Sequence, residues 1–358
     1  MKIRDVYLVN GQTLNDSDTV NVDLTRSLKI LKLRIQYRNK NGATSNTVGR
    51  LNGMVSKMAV VDGSNVIHSL SMREEQAKNF FDCKKMPFQQ LSQAGGGEVI
   101  EEAIIDFRRY EGDTGFYLDT SEFINPQLQL THSFTVSGTA GFVTANGELS
   151  VIATVIDSGA PTQAGYMMAK ELSSFATQSS GDHSLDLPLD YPIGALLVQT
   201  AVDGDTPDTF FSNFKLTQDT DSFIPINMAY TDLLYENLNR FGKGEQLQTV
   251  LNATTGTLKG DLYFQTAGIV AQAGATAKAL ITVQTANEST LAMTTSETGV
   301  VSGKMEGSAP HGTAIYQFGD GEDPAEIFQP SGVGKFQLIL TQAGTGATAK
   351  VVVVQQHP

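Results

Sequence analysis

Five histidines, one cysteine, a basic row and two acidic loops are the residues of this 358-residue chain best suited to chemistry. Histidine is the commonest metal ligand and general base, yet His68, His132, His183, His311 and His357 are unpaired at any metal-ligand spacing. His132 falls in phase with Leu130 and Phe134, the pattern of a hydrogen-bonded residue on a mostly apolar strand face. Cys83 stands beside Lys84 and Lys85, whose charges could lower its pKa. No partner base is evident, so it reads as a structural or inert thiol. Asp203-Gly204-Asp205-Thr206-Pro207-Asp208 and Asp320-Gly321-Glu322-Asp323 could offer oxygens to calcium. Neither has the EF-hand spacing, and both read as solvated turns. Lys32, Arg34 and Arg38 form a basic row on one strand face, suited to an anionic membrane, a neighbouring subunit or plain solvent. No G-x-S-x-G, P-loop, H-E-x-x-H or dinucleotide fingerprint occurs. The expectation is a protein that is not an enzyme, with no catalytic, cofactor or metal residues.

Composition narrows what positions these side chains. Hydrophobic residues make up 40% and charged residues 18%, with no apolar run long enough for a membrane helix. The length suits two domains. Residues 1–8 look strand-like, without the apolar run of a secretory signal. A single cysteine cannot form an internal disulfide, which fits a reducing cytoplasm. A net charge of −13 argues against a nucleic-acid coat, because phosphate binding needs clustered cations. Thirty-four glycines among many Thr, Asn, Gln and Ser residues mark short strands joined by turns.

Strand signals run along the whole chain. Leu31, Leu33, Ile35 and Tyr37 oppose Lys32, Arg34, Gln36 and Arg38, with Leu28 and Ile30 out of phase, which predicts a bulge or a change of environment near Ile30. An extended segment spans 54–61. Ser71 and Glu74 form a capping box, and Ala77, Phe80 and Phe81 make the apolar face of a short helix, opposite Arg73, Glu74, Glu75 and Lys78. Alternation returns after Gly95-Gly96-Gly97, at 105–108, 127–136 and 149–155. Residues 159–190 lack regular periodicity apart from a weak helical stretch at 166–175, and are read as a connection. Strands follow at 193–200 and across 210–226. A second helix at 230–241 has Tyr230, Leu234, Leu238 and Phe241 on one face and Gly242 as its stop. Further strands are expected at 261–265, 278–285, 336–341 and 349–355.

The two helices start about 157 positions apart, and the strands after each are expected at a similar offset, the size of one jelly roll. No residue-level repeat is visible. This order resembles the double jelly-roll major capsid proteins of tailless icosahedral viruses, among them tectiviruses, corticoviruses and some archaeal viruses. The residues that carry the likeness are 28–37 as opening strand, 72–81 as first helix, then 192–202 and 214–241. The chain departs from the pattern in having no tryptophan and no long polar arm before its first strand.

The resemblance implies an all-β fold of two tandem eight-stranded antiparallel jelly rolls, each with a short helix, at 1–158 and 191–358. It also implies a homotrimer tiling an icosahedral virion capsid, assembled in the host cytoplasm. Its partners would be itself, minor capsid or vertex proteins and an internal membrane, without sequence-specific nucleic acid. The rival reading is an attachment or carbohydrate-binding spike or adhesin, which shares the β-sandwich but favours aromatics clustered on one loop end.

Overall fold

Alternating apolar and polar residues form strands where one sheet face can be buried, and the chain does this in two successive sandwiches. The computed structural model describes every residue except 26, 45, 47–48, 139, 253–254, 274–278, 285, 295–298 and 320–325. The first sandwich contains β1 (Lys2–Leu14), β2 (Ser17–Asp23), β3 (Lys29–Lys40), β4 (Val55–Asp62) and β5 (Asn65–Leu70). After these come β6 (Gln89–Ser92), β7 (Glu98–Asp106), β8 (Leu118–Asp119), β9 (Pro126–Ser133) and β10 (Gly147–Ser158). A one-turn helix α1 (Leu51–Met54) precedes β4, and α2 (Met72–Cys83) follows β5. One sheet has the order β1-β10-β3-β7 and the other β2-β9-β4-β5, so the chain crosses repeatedly between them. That is jelly-roll winding. Leu33, Ile35 and Tyr37 from one sheet and Leu128 and Leu130 from the other meet in a common core.

The second sandwich repeats the winding with β11 (Tyr166–Ala176), β12 (Asp182–Asp186), β13 (Ile193–Gln199), β14 (Phe211–Gln218) and β15 (Phe223–Ala229). Helix α3 (Tyr230–Phe241) follows, in the place α2 holds in the first half. An insertion then interrupts the repeat: β16 (Gly244–Asn252), β17 (Thr255–Lys259), β18 (Leu262–Ala273), β19 (Ala279–Gln284), β20 (Ala286–Asn287), β21 (Thr290–Thr294) and β22 (Gly299–Pro310). The sandwich is completed by β23 (Thr313–Gln317), β24 (Phe336–Gln342) and β25 (Thr348–His357). Its sheets are β11-β25-β13-β23 and β12-β24-β14-β15.

The halves are joined through shared sheets. Ser69 of β5 pairs in parallel with Lys170 of β11, so the second sheet of the first sandwich runs on into β11-β25-β13-β23. Leu91 and Ser92 of β6 pair with Gln248 and Thr249 of β16, which carries the first sheet into the insertion.

Several expectations stand and several change. The bulge falls at Leu31: Lys32 pairs with Thr154 and Ile30 with Val155, and Leu31 leaves the main core for a small cluster with Tyr117 and Ile156. Both halves of the Ser71–Glu74 capping box are made, and the Gly242 amide closes α3 on the Leu238 carbonyl at 2.9 Å. The 28–37 segment is not the opening strand, because β1 and β2 precede it. The segment 159–190 is not a plain connection, since it carries β11 and β12. The helical look of 166–175 came from Met, Ala, Lys, Glu and Leu, good helix formers, but pairing of β11 with β25 from Tyr166 to Ala176 overrides that preference. The offset holds only as far as the helices: 158 positions separate Met72 from Tyr230, while 215 separate Glu98 of β7 from Thr313 of β23. The insertion makes up the difference.

A residue-level repeat is also present. Asn79 of α2 donates to the Ile104 carbonyl at 2.6 Å and accepts from the Ile104 amide at 2.8 Å. Asn237, at the same place in α3, does both to Ile315 at 2.8 Å. Each clamps its helix to the strand that follows it in the jelly roll, β7 or β23. One conserved geometry among unrelated neighbours gives no periodicity, so it is invisible in the sequence.

Candidate functional site

The seam between the sandwiches begins with strands buried on both faces. Leu196, Val198, Val351 and Val353 point into the second core. Their neighbours Ala195, Leu197, Val352 and Val354 point the other way and pack with Phe80, Phe81 and Met86. Two-sided burial is why 351–354 reads Val-Val-Val-Val with no alternation. Phe81 meets Phe241 of α3 edge-to-face at 5.0 Å, so both helices contribute to this third core. Each fully buried apolar side chain contributes roughly 1.5–3 kcal/mol.

Helix α2 lies under that sheet and against β7, and its polar residues Glu74, Glu75, Gln76, Lys78 and Asn79 are buried as well as its apolar ones. Buried polar groups need partners, and each of these has one. His68 Nδ1 accepts the Ala169 amide at 3.3 Å, which leaves Nε2 as the donor to Glu75, 2.6 Å away. Lys350 of β25 reaches Glu74 at 3.5 Å and Glu171 of β11 at 2.7 Å. Burial, opposed by Lys350, pushes the Glu74 carboxyl up to about 7.

A polar cluster continues the seam towards the insertion. Asp261 accepts from Gln246 at 2.8 Å and Asn52 at 3.2 Å, and pairs with Arg50 at 3.2 Å. Its carboxyl is held low: burial opposes ionisation, but nearby His311 and Arg50 outweigh it. His311 Nε2 lies 2.8 Å from Gln76 of α2, and burial drives the imidazole down to about 4 despite Asp261, so the ring is neutral. Glu101 accepts from Asn52 at 2.8 Å, while burial and the charge of Asp261 push it up to about 7. This arrangement locks the halves in register. The His68–Glu75 pair is closed from solvent, with side-chain exposures of 1% and 0%.

The residues singled out for chemistry are scattered. His132 is buried, stacks on Phe134 at 4.6 Å and reaches the Asn15 carbonyl at 2.9 Å. His183 stacks on Phe175 and His357 on Tyr166. Cys83 is surface-exposed. Partial desolvation, then Asp82, Asp106 and Glu111, raise its pKa, the opposite of what Lys84 and Lys85 suggested. Asp203 is held by Arg50 at 2.9 Å and Lys259 at 3.0 Å, and Asp208 accepts from Thr231 at 2.8 Å. The 203–208 loop is thus a seam element. The acidic loop at 320–323 lies outside the described residues. Among the described residues no three His, Cys, Asp or Glu side chains converge as a metal site, and no helix is long and apolar enough to cross a membrane.

The basic row is partly neutralised by β7, with Arg34 on Glu102 at 2.9 Å and Arg38 near Glu98 at 3.5 Å. Lys32 makes no ion pair among the described residues. The residues missed by sequence reasoning are those of the seam: Arg50, Asn52, Gln76, Glu101, Gln246 and Asp261. They are polar residues without motif or spacing: Asn52, Gln76 and Glu101 meet within the first half, and the insertion brings Gln246 and Asp261 to them.

No family model and no curated protein matches the sequence. The fold is similar to that of the major capsid protein of Sulfolobus Turreted Icosahedral Virus (TM-score 0.62, 10% identity, 100% of this chain and 97% of that one). It is also similar to the major capsid protein P2 of bacteriophage PM2 (TM-score 0.57, 11% identity, 100% and 98%). A third likeness is to VP54 of PBCV-1 (TM-score 0.58, 10% identity, 99% and 93%). The chain has the double jelly-roll fold of these proteins.

Proposed function

We propose that the chain is the major capsid protein of a tailless icosahedral virus, whose copies associate into pseudo-hexagonal trimers that tile a shell. The observation that carries this reading is the seam. Two jelly rolls with the same winding are held in fixed register by shared sheets, a third apolar core and the Arg50–Asp261 cluster. A rigid pair of similar blocks supplies two of six positions in a hexagonal outline, and three copies complete it. Whole-length likeness to capsid proteins from three viruses supports the same reading. We place the division between the blocks in residues 159–165, between β10 and β11. Exposed aromatics such as Tyr7, Phe88, Phe223 and Tyr235 come from different elements, which gives the adhesin reading no support.

Sedimentation of the full chain in dilute buffer tests the proposal. The expected species has close to three times the 38.4 kDa chain mass, or larger shells built from it. A strict monomer at micromolar concentration would overturn it.

A further inference from the structure

We infer that the outer face of the β1-β10-β3-β7 sheet receives helix α3 of a second copy of this chain. The inference rests on the self-association proposed above and names the surfaces that meet.

The contact within one chain supplies the template. Asn79 and Asn237 make the same double hydrogen bond, so α2 and α3 can be aligned residue by residue with an offset of 158. Along α2, Glu74 pairs with Lys350 of β25, Phe81 packs in the third core, and Lys78 lines the same cleft beside Ala195, Leu197 and Val354. Glu74, Lys78 and Phe81 are thus the stripe that docks on the outer face of β11-β25-β13-β23, spaced as one side of a helix. Their counterparts in α3 are Asp232, Glu236 and Asn239. All three are exposed, together with Tyr235 at 45%. Among the described residues, helix α2 is covered on both sides and α3 on one side, and the uncovered side of α3 is the docking side.

The receiving surface is bare in the same sense. The sheet equivalent to β11-β25-β13-β23 in the first half is β1-β10-β3-β7, and among the described residues its outer face has no helix on it. Tyr7 is 59% and Ile3 47% exposed there, next to Lys32 and Arg34. The strand edges agree. Within the chain β5 meets β11; the counterparts β15 and β1 end their sheets among the described residues. Phe223 on β15 is 59% exposed, an apolar side chain on an unpaired edge. Joining β15 of one copy to β1 of the next repeats the internal junction.

Charge fits as well. Within the chain, Lys350 bridges a glutamate of its own sheet, Glu171, and one from the helix, Glu74. On the bare face Arg34 already holds Glu102 of its own sheet, and Lys32 is unpaired among the described residues. Asp232 and Glu236 supply the missing acids. An aromatic anchor beside complementary charges is a common make-up for a protein interface.

The test is charge reversal on the full chain, read by sedimentation. Asp232→Lys with Glu236→Lys should shift the trimer to monomer, as should Lys32→Glu with Arg38→Glu. Combining all four changes should restore the trimer. A far-ultraviolet circular-dichroism spectrum like the wild type's and a cooperative thermal transition, at a midpoint lowered by the lost association, show that each variant folds. A wild-type monomer would remove the self-association itself. A wild-type trimer that both reversals leave intact would overturn the docking alone. Loss of binding to phosphatidylserine vesicles by the Lys32→Glu, Arg38→Glu protein, with its trimer intact, would assign the face to a membrane and also overturn the inference.

Discussion

Strands β3 and β13 hold the same place in their two jelly rolls, yet their sequences differ in kind. Strand β3 alternates strictly, with Leu33, Ile35 and Tyr37 inside and Lys32, Arg34 and Arg38 outside. Strand β13 reads Ala195-Leu196-Leu197-Val198, apolar on both faces. The winding is identical, so the difference comes from what lies outside each sheet. Helix α2 covers β13; among the described residues no element of the same chain covers β3. The rule is general for sheets: alternation reports one solvated face, and its loss reports a cover. One fold used twice therefore shows which of its surfaces is finished and which is open.

The largest expected effect comes from removing the cover. Phe80 is buried at 1% exposure against the second sheet, so Phe80→Ala should cost about 3–5 kcal/mol through lost burial and a cavity. Leu238, its counterpart in α3, is only half-buried, and Leu238→Ala should cost less than half as much. Denaturant midpoints for the two variants decide this. Equal losses would mean that α2 and α3 are covered alike, and the comparison would fail.

A second effect of nearly this size concerns the polar part of the seam. Glu101 has a folded pKa of about 7, above the usual carboxylate value, so the folded state binds its proton more tightly than the unfolded state. Stability from this group is therefore present at low pH and is lost as pH rises towards 7. His311 works in the other sense: held neutral down to about 4, it contributes stability that is lost as pH falls below its unfolded value near 6.5. Glu101→Gln should match the wild type near pH 5 and exceed it above pH 8, by on the order of 3 kcal/mol at most. Chemical denaturation at the two pH values measures the difference. A variant less stable at both would show that the ionised carboxylate is what the seam requires.

The smallest effect tests what the two helices share. Asn79→Ala and Asn237→Ala each leave an isoleucine amide and carbonyl without partners, at a cost of about 1–3 kcal/mol. Because the clamps are alike, the two losses should agree to within about 0.5 kcal/mol. A large disparity would shift the contrast between the halves from the outer cover to the helix anchor.

Local rules decided a good deal of this protein. Period-two alternation in β3, β9 and β10 fixed their faces, because side chains on a strand point to opposite sides whatever the partner. The Ser71–Glu74 box fixed the start of α2, and Gly242 the end of α3, because both act through hydrogen bonds within a few residues. The out-of-phase Leu28 and Ile30 signalled a bulge or a change of environment, and the register of β3 with β10 decided for the bulge. Tertiary structure decided the rest. Tyr166 to Ala176 became a strand because β25, about half the chain away in sequence, pairs with it along its length, a gain that outweighs helix propensity. Glu74, Glu75 and Lys78 read as a solvated helix face and are buried, because partners from other segments, among them His68, Lys350 and the second sheet, cover them. The Arg50–Asp261–His311 cluster joins residues more than 200 positions apart, and no spacing rule reaches that far. Hydrogen bonding and side-chain direction are properties of neighbours in the chain, whereas burial is a property of neighbours in space.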